Sequence, residues 1–160
     1  MNNAKLGKTV SASRITIAQL MQPEHANNLG KVHGGWIMKL VDEAGALACM
    51  RHAQSRVVTV AVDQMIFRQP IRIGDLVTLT AEVSYVGKTS LEAEVQVVAE
   101  NPVTQENTHT NTAYVVYVAM DDLGKPVVVP PLITETEDQR IRREEGKKRQ
   151  EYRLRQKSRR

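Results

Sequence analysis

The chain has 160 residues, 41% of them hydrophobic, and a formal net charge of +4. That length suits one domain with its own core, no run reaches the roughly 20 apolar residues of a membrane span, and residues 1–12 carry no apolar leader segment. The single cysteine, Cys49, excludes an intramolecular disulfide framework and fits a reducing, cytoplasmic compartment.

Charge is unevenly placed. Residues 137–160 hold eleven Lys/Arg against five Asp/Glu, whereas residues 1–136 hold eleven against thirteen. The globular part is slightly acidic and the basicity belongs to the tail. With one Trp, one Phe and four Tyr, the chain lacks the aromatic–basic interleaving that stacks nucleobases.

In chain order, residues 1–12 read as a frayed terminus. "SRITIAQL" alternates Ile15 and Ile17 with polar neighbours and predicts a short strand. After a loop through Pro23, a helix is expected from about Gly35 to Ala53. "RVVTVAVDQMIF" is nearly continuously apolar and β-branched at its start, which predicts a strand covered on both faces. "IRIGDL" is a turn. "LVTLTAEVSYV", "LEAEVQVVAE" and "THTNTAYVVYVAM" predict three antiparallel strands, joined by "GKTS" and "NPVTQEN", with one dry and one wetter face. "GKPVVVPPL" is extended. The tail is helix-permissive and charged, with Gly146 as its weak point. The expected class is α+β: an antiparallel sheet wrapped around one long helix, followed by a charged C-terminal helix.

The expected helix carries Ala44, Gly45, Ala46, Ala48 and Cys49 along one flank. Glycine inside a helix costs about 0.5–1 kcal/mol relative to alanine, so close backbone approach of the sheet is the expected compensation. At its start, "HGG" bares main-chain N–H groups at the positive end of the helix, a cradle for an oxyanion or a phosphate. Asp42 lies two turns beyond Gly35, about 10 Å along the same face. A carbonyl held at Gly35 therefore cannot also touch Asp42 of the same chain. If the two act together, a second copy must bring its helix alongside, giving a two-fold dimer with composite sites.

"NNLGKVHGGWIMKLVDEAG", "VTVAVDQMIFRQPIRIGDLV", "GKTS" and "HTNTAYVVYVA", in that order, resemble the hotdog-fold acyl-CoA thioesterases over residues 13–130, with residues 131–160 as an added basic helical tail. The resemblance implies hydrolysis of acyl-CoA to free fatty acid and CoA, with Asn27 and Asp42 as a catalytic pair from opposite subunits and the Gly35 amide polarising the thioester oxygen. It implies CoA-binding roles for Gly87, Lys88, Thr89 and Ser90 and for Arg68, and a thioester-lining role for Thr59. His33 reads as structural, Glu43 points about 100° away from Asp42, and Cys49 reads as packing. The tail is open to three readings: a solvated helix, contacts to CoA phosphates or other subunits through Lys148 and Arg149, or nucleic-acid binding, which its intermixed acids argue against. No metal or separate cofactor is expected, CoA being part of substrate and product. The expected assembly is a homodimer at least, on the family's pattern a trimer of dimers. The alternatives are a non-catalytic acyl-CoA sensor or assembly module and a hotdog enoyl-thioester hydratase.

Overall fold

The structure, a computed structural model, describes residues 5–160, the side chains of residues 109 and 110 apart. Five strands form one antiparallel sheet in the order β2-β4-β5-β6-β3: β2 (Ile15–Leu20), β3 (Arg56–Val62), β4 (Leu76–Val86), β5 (Ser90–Glu100) and β6 (Asn107–Met120). The long helix α2 (Gly34–Ala53) lies against the face built by the alternate residues Val77, Leu79, Ala81 and Val83 of β4, Leu91, Ala93, Val95 and Val97 of β5, and Ala113, Val115, Tyr117 and Ala119 of β6. All of these are essentially excluded from water. Strand alternation with period two puts them on one side, so the expected α+β wrap is the observed one.

The small flank of α2 faces this sheet: Ala44, Ala48 and Cys49 have no exposed surface. At Gly45 the close neighbour is a side chain rather than backbone. A Cβ built there would stand 2.5 Å from the Tyr117 hydroxyl. Burial pushes the Cys49 thiol far above its ordinary range, which removes it as a nucleophile.

Four expectations need correction. The strand after α2 ends at Val62, and residues 63–70 are irregular. Nor is it covered on both faces: among the described residues it is an edge strand paired only with β6, and Val58, Val60 and Val62 are 44%, 54% and 48% exposed. Residues 1–4 of the expected frayed terminus lie outside the described residues, but β1 (Lys8–Thr9) pairs in parallel with β7 (Leu132–Ile133), and the short α1 (Val10–Ser13) buries Val10. Main-chain pairing and one buried valine thus hold what polarity alone suggests is loose.

The tail is the fourth. Helix α3 (Glu137–Lys157) is not a freely solvated rod; it lies on the sheet face opposite α2. Thr136 caps it, accepting from the Gln139 amide at 3.1 Å. Three arginines on one helix face then reach acids of the sheet and its margin: Arg142 to Glu82 and Glu94, both 3.2 Å; Arg149 to Glu92 at 2.8 and 3.0 Å; Arg153 to Asp63, just past β3, at 2.6 Å. Gly146, expected as a weak point, is where the helix backbone meets the sheet. A Cβ there would fall 2.7 Å from Tyr85 Cβ and 3.0 Å from Glu92 Oε1. Gly146→Ala should therefore lower thermal stability by about 1–3 kcal/mol through overpacking, although helix propensity alone would raise it by about 1 kcal/mol. A melting curve gives the sign.

Candidate active site

The loop before α2 is a turn built by its own asparagine. Asn27 Oδ1 accepts from the amides of Leu29 (2.9 Å) and Lys31 (3.1 Å), and its main-chain N–H donates to Lys31 O at 2.7 Å. Gly30 completes the turn at φ 72°, a left-handed conformation that favours glycine. With Oδ1 occupied, the Asn27 amide group is oriented, and Nδ2 makes no hydrogen bond among the described residues. Asn27, Lys31, Gly34, Ile37, Phe67 and Arg68 border a cleft of about 400 Å³ at the α2 N-terminus.

His33 caps α2. Its Nδ1 accepts from Gly35 N–H at 3.0 Å, and its own N–H donates to His25 O at 2.7 Å. The proton expected to serve a thioester oxygen is therefore already committed within the chain. The structural reading of His33 follows from the same bond.

Asp42 sits in the middle of α2, half-buried. Thr59 Oγ1 donates to its Oδ1 at 2.7 Å. The Tyr117 hydroxyl donates at 2.8 Å to the Asp42 main-chain oxygen and lies 3.2 Å from Oδ1. Thr59 and Tyr117 are register partners on adjacent strands β3 and β6, so their side chains emerge on the same face. Immediately after Thr59 the ladder shifts at a bulge before Ala61, a device that re-aims side chains beside sites. Oδ2 is left without a hydrogen bond among the described residues. Glu43, by contrast, is exposed and paired with Lys39 at 2.7 Å.

Thr59, expected to line the thioester, holds the Asp42 carboxylate. Tyr117 is absent from the sequence reading. The signal lay in a polar-tipped aromatic among the inward positions of β6, opposite the lone glycine of the α2 flank. Asn27 and Arg68 belong to the cleft at the helix start, Asp42 to the helix middle; one chain does not bring the expected pair together. The segment Gly87–Ser90 is the tight β4–β5 turn, with Gly87 N–H donating to Ser90 O at 2.9 Å. Lys88 O and Thr89 O accept from Val129 N–H (3.0 Å) and Ala119 N–H (2.9 Å). This ties it beside the end of β6, with Lys88 exposed. Lys148 borders a second cleft, of about 510 Å³, between α3 and the sheet; Arg149 there stacks on Tyr114 at 3.7 Å while binding Glu92.

Residues 29–106 match the family model described as the thioesterase superfamily. A crystal structure of an apo-hexameric acyl-CoA thioesterase superposes with a TM-score of 0.92 at 34% identity, covering 98% of this chain and 100% of that one. This chain is an acyl-CoA thioesterase family member. Another family structure, the acyl-CoA hydrolase of Staphylococcus aureus in complex with butyryl-CoA, CoA and CoA disulfide, has a TM-score of 0.87 at 31% identity over 94% of this chain and 92% of that one. Variants of that hydrolase with an aspartate, an asparagine or a threonine replaced by alanine have also been solved. The cytosolic acyl-coenzyme A thioester hydrolase of Rattus norvegicus is 38% identical over 141 residues, 87% of this chain but 37% of that protein, so the chain spans well under half its length. No helix among the described residues is long and apolar enough to cross a membrane.

Proposed function

We propose that this thioesterase family member hydrolyses acyl-CoA to free acid and CoA, in the cytoplasm, at sites assembled from two copies of the chain. The observation that carries the reading is the Asp42 carboxylate, tied at Oδ1 and open at Oδ2. Oδ2 draws a proton from water as the water oxygen adds to the thioester carbonyl, or attacks that carbon itself to give a mixed anhydride, which water then splits into free acid, the restored carboxylate and a proton. The C–S bond breaks, and the thiolate leaves and takes up the proton. The Asn27 Nδ2 group of the other copy donates to the thioester oxygen or to the water. Gly34 and Gly35 leave the helix tip bare, and the Gly35 amide joins once His33 Nδ1 turns away. Arg68, Lys88, Thr89 and Ser90 bind the CoA arm, and Lys148 offers a further cation to its phosphates. The residue types replaced in the Staphylococcus aureus hydrolase are those of Asp42, Asn27 and Thr59.

Composite sites fit the edge strand. Val58, Val60 and Val62 expose apolar side chains along an unpaired edge, a surface that pairing with a second β3 would cover. Three such dimers would give the hexamer described for the structural relative.

The test is a thiol-release assay on purified protein with acyl-CoAs of several chain lengths. Release of CoA thiol is expected. Binding without release would make the chain a sensor, and an enoyl absorbance change without thiol would make it a hydratase. Asn27→Ala and Asp42→Ala chains, each impaired alone, should together regain up to about a quarter of wild-type activity when mixed and reassembled, above the mean of the two separate variants. Half of the dimers in an equal random mix are hybrid, and each hybrid carries one intact site. No recovery in verified hybrids would rule the shared site out.

A further inference from the structure

We infer that Tyr117 is a positioning residue for Asp42, forming with Thr59 a two-strand clamp that fixes one carboxylate oxygen and presents the other. The inference rests on Asp42 being the group that acts on the thioester.

The geometry is specific to that task. Tyr117 has no exposed surface, yet its hydroxyl finds partners at Asp42: it donates to Asp42 O at 2.8 Å and stands 3.2 Å from Asp42 Oδ1. It thus reaches the helix backbone itself, at the carbonyl of the residue whose carboxylate it also contacts. That approach needs room, and Gly45 supplies it, since any Cβ there would overlap the hydroxyl at 2.5 Å. The helix accepts a glycine three positions from its half-buried acid. A tyrosine serving the core alone would not need it, because phenylalanine fills the same apolar space.

Thr59 completes the device. It is the direct register partner of Tyr117, and its 2.7 Å bond to the same Oδ1 comes from the neighbouring strand. A free aspartate rotates about two side-chain bonds; here its main chain and one oxygen are tied to the rigid β3–β6 pair. Rotation that would exchange Oδ1 and Oδ2 breaks the Thr59 bond and loses the Tyr117 contact. Burial, reinforced by the Asp42 charge, drives the hydroxyl's ionisation far above the working range, so Tyr117 stays a proton donor. It has no path to the substrate except through Asp42.

Tyr117→Phe removes one oxygen and keeps the ring, so the fold should survive, as checked by circular dichroism and melting. The expected result is a fall in kcat of roughly ten-fold with KM for acyl-CoA changed less than about two-fold. Thr59→Val should behave the same way, and Thr59→Ser, which restores the hydroxyl, should return most of the rate. The deciding measurement is the double variant. Because Tyr117 acts through Asp42, adding Tyr117→Phe to Asp42→Asn should change the residual turnover by less than about two-fold. A further multiplicative loss would assign Tyr117 a general packing role and overturn the inference, as would wild-type kcat in the single variant. Wild-type turnover in Asp42→Asn alone would instead remove Asp42 from the reaction and the clamp with it, a result distinguishable from the other two.

Discussion

Asp42→Ala should lower acyl-CoA hydrolysis by about a hundred-fold or more while the protein stays folded. The size follows from the role: a positioned base contributes on the order of 10²–10⁴ in rate. No described neighbour replaces it. The adjacent Glu43 is bound to Lys39 on the exposed side of the helix. The folded state should lose little. Alanine is the better helix former, Tyr117 keeps its bond to the residue 42 carbonyl, and exposed Thr59 can turn to water. The net change should stay within about 1 kcal/mol. Asn27→Ala should be milder in rate but not in structure, because Oδ1 of Asn27 closes the turn on Leu29 and Lys31. Near-normal thiol release from folded Asp42→Ala would remove the carboxylate from the mechanism.

The helix and its glycine junction were legible in the sequence because their signals are local: two glycines, then a flank of small residues; that His33 caps the helix is a finding of the structure. β4 and β5 were legible through strict alternation. What stayed hidden was which element covers which face. The β-branched run of β3 looks doubly buried because periodicity records a need for cover, not its source; within one chain Val58, Val60 and Val62 stay about half exposed. The polar positions of β4 and β5 look solvated for the converse reason. Glu82, Glu92 and Glu94 are covered by arginines about fifty residues away, and charge complementarity at that distance leaves no period. At the site, the glycine was visible and its reason was not, since Tyr117 reaches Gly45 only through the pairing of the sheet.

Arg149→Ala should be the most destabilising single change on the tail side of the sheet. Glu92 is 1% exposed, held by Arg149 at 2.8 and 3.0 Å and by Ser84 Oγ at 2.7 Å, with Arg153 at 3.5 Å. Removing one partner of a buried pair leaves an uncompensated charge and costs about 3–5 kcal/mol. Arg153 and Ser84 remain, and the Arg149 side chain is 24% exposed so water can enter; the expected loss is nearer the lower figure, roughly 3 kcal/mol. For a chain of this size that is a drop of roughly 6–12 °C in melting temperature. Pairing Arg149→Ala with Glu92→Gln should recover a large part of the loss, because the glutamine leaves no charge stranded. The same variant decides what the arginine is for. A residue whose task is a CoA phosphate would raise KM for acyl-CoA and leave melting untouched. One whose guanidinium neutralises Glu92, and so fastens α3 to the sheet through Gly146's close approach, would lower melting first. Its double variant would then restore both.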